Sequence, residues 1–290
     1  MVEMSHSKKY GRGLLIGSIV LVCLISFAFW LYGKFYVSTD DAYVNANVVQ
    51  IAPRVSGQVM VLAVANNQHV NAGDLLFALD PAVFQARLAH DEATLARAEA
   101  VKSIAEITSS RTRELVSKHA ASTQEGDIMD ARLQSAVANV SAANAAVTTS
   151  RLDLQYSKIT APTGGGITQL TLREGDVVRA GQALFALVSD NEFWIDANFR
   201  ETEVGDIMPG QHADIRIDMY PGHHFHGVVE SISSGSGAVF SLLPPENATG
   251  NWVKVTQRVP VRVRVVDVNP KYPLRIGTSA TVTIRLTGKS

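Results

Sequence analysis

Few residues in this chain could do chemistry. His223, His224 and His226 form its one group of metal-ligand character. They follow a Pro-Gly turn at 221–222 and lead into a strand-like run, Phe225 to Val229. Two of them can share a strand face, but no cysteine or carboxylate stands at a zinc-site spacing, so a surface loop is the better reading. Ser236, between Gly235 and Gly237, lacks the strand-turn-helix setting of a nucleophile elbow. The carboxylates show no paired arrangement. Cys23 is the one cysteine, which excludes an intramolecular disulfide and any cysteine metal or redox cluster. A net charge of -1 gives no global attraction to nucleic acid. The sequence therefore leads us to expect no enzyme, no cofactor and no metal site.

The strongest internal signal is a repeat. VNAGDLLFALDP (Val70–Pro81) and VRAGQALFALVS (Val178–Ser189) agree at seven of twelve positions and lie 108 residues apart. At the same offset Gly57 matches Gly165, Leu62 matches Leu170 and Gly73 matches Gly181. Each copy alternates short apolar runs with turns, the pattern of several short strands. Alone, each half would leave strand edges unpaired and one apolar face exposed. Together they can close one small β-sandwich. Similar halves occur in biotinyl and lipoyl carriers, where a lysine tips the hairpin joining them. Here that site is Asp80-Pro81, so carrier chemistry is disfavoured.

Between the copies the composition changes. From Pro81 to Pro162 there is no other proline, Gly126 is the one glycine, and alanine dominates. That composition favours long helices. Asp80 can cap the first with Pro81 as its opening residue, and the helix runs to about Lys118. His119–Ser122 reads as a turn. Ser122 and Glu125 then form a capping box opening a second helix that reaches about Tyr156. Its apolar residues Leu133, Val137, Val140, Val147 and Leu154 follow a 4-3 spacing, interrupted at Asn144 and Arg151. The first helix offers Phe84, Leu88, Leu95, Val101, Ile104 and Leu115 in a looser register. Similar lengths and a short turn predict an antiparallel coiled coil. At 1.5 Å per residue, about 35 residues give an arm of roughly 50 Å. Its apolar stripe is thin and alanine-rich, which suits an arm that holds a partner; a plain spacer is the alternative.

The flanks complete the organisation. Leu14–Tyr32 is an uncharged apolar run long enough for a bilayer core of about 30 Å. Lys8, Lys9 and Arg12 before it predict a cytoplasmic N-terminus, and Trp30, Tyr32 and Tyr36 suit the outer interface. A cleaved signal peptide would have a shorter run ending in small residues, whereas this one ends in bulky FWLYGKFY. Asp40–Ala52 alternates as a strand. After Phe193, alternating runs such as Val259–Val266, with a short helix near Glu201–Met208, predict a small antiparallel β-barrel. Ser234–Trp252 reads as a long, partner-facing loop. The expected segments are a cytoplasmic 1–13, a transmembrane helix 14–32, a first lipoyl-like half 40–80, a helical hairpin 81–157, a second half 158–190 and a barrel 191–288. The fold class is mainly β with an inserted α-helical hairpin.

This order resembles the HlyD/EmrA membrane fusion proteins, over nearly the whole chain after residue 13. Thr39–Val59 resembles the strand that opens the family's lipoyl-like half, and Leu154–Ile167 the exit from its hairpin. Ala197–Val204 and Gly237–Val263 resemble the EmrA branch in particular. The resemblance implies a periplasmic adaptor, anchored in a Gram-negative inner membrane, that links a transporter, usually of the major facilitator type, to a TolC-like outer-membrane channel. It implies self-association into a trimeric or hexameric ring. Hairpins that dock on TolC-type channels often carry Arg, Leu four residues on and Ser seven further, a spacing that Arg111, Leu115 and Ser122 match. Each also has a plain role, as a solvated cation, a closing coiled-coil residue and a helix cap. The hairpin is shorter than in the best-known EmrA-type and HlyD-type adaptors and closer to AaeA-type aromatic-acid adaptors. That leaves open an aromatic-acid exporter or a type I protein secretion system as the partner.

Overall fold

A computed structural model describes residues 35–237, 255–269 and 271–286. The apolar run Leu14–Tyr32, expected to cross the membrane, lies outside the described residues. No helix among the described residues is long and apolar enough to cross a membrane. Most of the loop expected at Ser234–Trp252 also lies outside them. The chain divides into two units, residues 48–190 and residues 1–47 with 191–290.

The first unit contains the repeat. β1 (Tyr36–Ile51) ends here and is followed by β2 (Gly57–Leu62), β3 (His69–Val70) and β4 (Leu75–Leu79). Helices α1 (Ala82–Ser117) and α2 (Thr123–Tyr156) come next. Then come β5 (Lys158–Thr160), β6 (Gly165–Thr168), β7 (Val177–Val178) and the start of β8 (Phe185–Arg200). Each copy completes the sheet of the other. His69 and Val70 pair with Gly166 and Gly165, while Gln58 and Gly57 pair with Val177 and Val178. These two ladders are equivalent under the 108-residue offset. So are the bonds from Gly73 N–H to the Ala161 carbonyl at 2.8 Å and from Gly181 N–H to the Pro53 carbonyl at 2.9 Å. Both glycines have positive φ, 89° and 78°, which explains why the turn position is glycine in both copies. The core joins Val59, Val70, Leu76, Phe77 and Leu79 to Ile167, Val178, Phe185 and Leu187.

The second unit is a barrel. β9 (His212–Ile217), β10 (His224–Ile232), β11 (Arg258–Val265) and β12 (Ser279–Arg285) join parts of β1 and β8. The strand order is β1-β12-β9-β10-β11-β8, and a β1–β8 pairing closes the ring. α3 (Glu201–Val204) follows β8 as the expected short helix. The strand read from sequence at Asp40–Ala52 overlaps the later part of β1, whose first part, Tyr36–Tyr43, pairs with β12. Alternation alone identifies a strand but does not choose its neighbour. Inward residues include Val44, Ile195, Phe199, Ile215, Phe225, Val263 and Ile284, each at most 1% exposed. Gly227 faces inward where a Cβ would lie 2.7 Å from both Ile215 and Val263.

The outer barrel face carries a polar network on β1, β8 and β11. Arg258 lies 3.3 Å from Asp41 and donates to the Asn198 carbonyl at 3.0 Å. Asn198 Nδ2 donates to Asp41, and Asn45 Nδ2 to Asp196. The Arg262 guanidinium stacks on the Trp194 ring at 4.5 Å. Segments that carry the family resemblance, Thr39–Val59, Ala197–Val204 and Gly237–Val263, thus contribute Asp41, Asn45, Asn198, Arg258 and Arg262 to one face.

Candidate functional site, the helical hairpin

The hairpin begins as the sequence indicates. Pro81 already has helical φ and ψ of -77° and -12°, and Asp80 Oδ1 accepts from Ala82 N–H at 3.0 Å. At the far end α1 closes in a Schellman motif. His119 takes a left-handed φ of 55°, its N–H donates to the Val116 carbonyl, and Ala120 N–H donates to the Leu115 carbonyl at 2.8 Å. Ser122 opens α2, its Oγ accepting from Glu125 N–H at 3.2 Å.

The seam between the helices differs from the sequence-based register. On α2 it runs Met129, Leu133, Ala136, Val140, Ala143, Val147, Ser150 and Leu154. The positions Leu133, Val140, Val147 and Leu154 agree with the sequence reading, but the intervening ones shift by one. Ala136, Ala143 and Ser150 are buried, while Val137 is 44% exposed. Asn144 and Arg151 therefore do not interrupt the seam. On α1 it runs Phe84, Leu88, Asp91, Leu95, Ala98, Lys102, Ala105, Ser109, Thr112 and Val116. Val101, Ile104 and Leu115, read as core from sequence, lie one step aside and are 51%, 66% and 43% exposed. Along this interface alanine, serine and other small or polar side chains alternate with the large apolar ones.

Two polar layers hold the helices in register. Buried Ser109 on α1 donates to Asp130 on α2 at 2.6 Å. Buried Ser150 on α2 donates to Asp91 on α1, the same pairing with the helices exchanged. Arg113 adds a bidentate contact, with Nε 3.0 Å from Asp130 Oδ1 and 3.1 Å from Oδ2. The hydrogen bond from Arg113, with that from Ser109, lowers the Asp130 carboxyl below its ordinary 3.8. The same pairing raises the Arg113 guanidinium. Sequence reading missed these four Ser and Asp residues because it followed large apolar residues; their signal was complementary Ser and Asp at seam positions of facing helices.

Arg111 and Leu115 lie one turn apart on an exposed α1 face. With Val101, Ile104 and Thr108 they continue a stripe beside the seam. Among the described residues, Arg111 has no ion pair or side-chain hydrogen bond. Ser122, across the turn, is occupied as the cap. Further down, two hollows of about 360 and 370 Å³ share Val101 and Asn139 and form a groove along the hairpin. Its floor is Ala98, Ala105, Ala136 and Ala143, and its walls include Arg97, Ile104, Met129 and Arg132.

The histidines are placed otherwise. His224 Nδ1 lies 2.9 Å from Asp214, and His223 stacks on Tyr272 at 4.1 Å and meets Phe225 edge-on. Among the described residues no group of three or more His, Cys, Asp or Glu could hold a metal.

Residues 47–190 match the family described as RND MFP, barrel-sandwich hybrid domain, and residues 192–285 the AAEA-like beta-barrel domain. The multidrug export protein EmrA of Haemophilus influenzae is 30% identical over all of this chain and 87% of its own. The chain belongs to the HlyD/EmrA-type membrane fusion proteins. Within that group, the colistin resistance protein EmrA of Acinetobacter baumannii is 32% identical, covering 92% of each chain. The multidrug resistance protein MdtN of Escherichia coli is 32% identical over 92% of this chain and 94% of its own. Solved membrane fusion proteins share the fold. One from Streptococcus pneumoniae has a TM-score of 0.64 at 17% identity, covering 87% of this chain and 99% of its own. The periplasmic adaptor EmrA has a TM-score of 0.50 at 20% identity, covering 88% and 99%. Membrane fusion proteins are adaptors and not enzymes.

Proposed function

We propose that this membrane fusion protein is the periplasmic adaptor of a multidrug efflux pump. Leu14–Tyr32 anchors it in a Gram-negative inner membrane with a cytoplasmic N-terminus. It couples a transporter of the major facilitator type to a TolC-like outer-membrane channel, and its hairpins associate in a trimeric or hexameric ring. The observation that carries this reading is the hairpin itself. Small and polar residues interrupt its seam of leucines and valines, while Val101, Ile104 and Leu115 face outward. Such an arm buries little apolar surface alone and gains from a partner. Arg111 and Leu115 supply the charge and apolar contact at the docking tip, and Ser122 shapes the turn. The relatives named for multidrug export and multidrug resistance point to the same role.

The test is export in cells lacking the native adaptor gene. Arg111→Asp or Leu115→Ser should abolish drug resistance and cross-linking to the outer channel while the protein remains folded. Full resistance and unchanged cross-linking in both variants would remove the tip assignment. The AAEA-like barrel match at residues 192–285 supports a second reading, an adaptor for an aromatic-acid exporter. The transporter that co-purifies with the full chain decides between them.

A further inference from the structure

The barrel has an apolar cleft where the chain enters it. Its volume is roughly 600 Å³, and Phe35, Met208, Pro209, His212, Arg285 and Leu286 contribute to its lining. Leu286 N–H donates to the Phe35 carbonyl at 2.8 Å, tying the end of β12 to the start of the described chain. Phe35 is 43% exposed and Met208 61%. Met208 is held outward by its surroundings. Ile207 is 3% exposed on one side, Gln211 is 5% exposed on the other, and Gln211 Oε1 accepts from Met208 N–H at 3.1 Å. The following turn is fixed by Gly210, with φ at 90° and its N–H bonded to the Val229 carbonyl at 2.8 Å.

What covers this cleft follows from the sequence before it. Phe35 comes three residues after Tyr32, the end of the uncharged run. Three extended residues span at most about 10 Å. A bilayer is about 40–45 Å thick with a hydrocarbon core of about 30 Å, so each polar layer is of order 6 Å deep. An anchored chain must therefore hold this end of the barrel at the lipid headgroups or within a few ångströms of them. The residue types suit that depth: Phe35 and Met208 for the acyl boundary, and Arg285 and His212 for phosphate. Glu201, Glu203 and Asp206, on the segment leading to Met208, keep this end from being a uniformly basic patch. The contact is therefore apolar first, with charge in a supporting role.

We infer that the cleft of Phe35, Met208 and Arg285 is a membrane-contact surface that seats the barrel on a phospholipid bilayer. This rests on the reading of Leu14–Tyr32 as a retained anchor. The test uses the full chain with Cys23→Ser, reconstituted without a transporter into phosphatidylethanolamine–phosphatidylglycerol vesicles with brominated acyl chains. An environment-sensitive fluorophore is attached at Met208→Cys or, at the opposite end of the barrel, Asp218→Cys. The label at 208 should lose intensity in the brominated vesicles and the label at 218 should not. Phe35→Ser should reduce the loss at 208 without changing resistance to carbonate extraction. A carbonate-resistant protein with no quenching at 208 overturns the inference and leaves the anchor standing, as does a label shielded only after transporter is added. A protein that carbonate strips from the vesicles overturns both.

Discussion

Phe77 and Phe185 meet edge to face with ring centroids 6.1 Å apart, and they are the same residue of the repeat in its two copies. One ring arrives before the hairpin and the other after it. The repeat is therefore one β-sandwich whose core closes only when the second copy returns. Both residues belong to the same buried cluster. Phe77→Ala and Phe185→Ala should each cost about 3–5 kcal/mol. The double variant should cost less than the two together, by about 0.5–1.5 kcal/mol for the lost ring pair. Denaturant unfolding of the three variants measures this; strict additivity would show that the rings do not interact.

Adjacent glycines in β6 provide a sharper test of packing. A Cβ at Gly165 would lie 2.1 Å from the Val188 carbonyl oxygen, whereas one at Gly166 meets nothing within 4 Å. Gly165→Ala should destabilise by about 1–3 kcal/mol or more, because backbone must move. Gly166→Ala should stay within about 1 kcal/mol of the parent. Equal thermal shifts in the two variants would contradict the observed approach of β6 to β8.

Much of this architecture was legible in the sequence, for identifiable reasons. The helix ends carried Asp80, Pro81 and Ser122, which act through local hydrogen bonds and so leave a local signal. The repeat announced the sandwich because both copies need glycine at a left-handed turn and phenylalanine in the core. The coiled-coil seam was half legible. Large residues marked Leu133, Val140, Val147 and Leu154, but alanine and serine at the alternate positions carry no hydrophobic signal of their own. Val137, Val101 and Ile104 then looked like core although they face outward. The partner of Tyr36–Tyr43 was not legible, since strand pairing is decided by residues more than 200 positions away. Arg111 and Leu115 could be placed near a tip, whereas their exposure depends on the seam register.

The seam carboxylate gives the hairpin a pH dependence. Arg113 and Ser109 hydrogen-bond Asp130 and hold it below its ordinary 3.8. A lowered carboxyl contributes stability in full above its unfolded value, and that contribution is lost as pH falls through the lowered folded value. Helicity of the full chain, followed by circular dichroism during acid titration, should therefore fall below about pH 4. Asp130→Asn should be less stable than the parent at pH 7, and the gap should narrow as acid protonates the parent's carboxyl. A gap independent of pH would remove Asp130 from that role.

The tip allows stability to be separated from docking. Leu115 is exposed, whereas its neighbour Val116 is partly buried. Leu115 lies outside the seam, whereas the side chain of Val116 packs toward Gly126, where a Cβ would lie 3.5 Å from Val116 Cγ2. Leu115→Ser should therefore change stability by no more than about 0.5 kcal/mol, as surface substitutions do. Val116→Ser should cost about 1–3 kcal/mol. Ser122→Ala removes the cap and should cost about 1 kcal/mol, while Ser122→Asn can restore it. If the tip docks on an outer channel through Arg111 and Leu115, cross-linking should fail in Leu115→Ser at unchanged melting temperature and survive in Ser122→Asn. Survival in Leu115→Ser would move the docking surface elsewhere on the hairpin. Failure in Ser122→Asn at parental stability would give the serine hydroxyl a contact of its own.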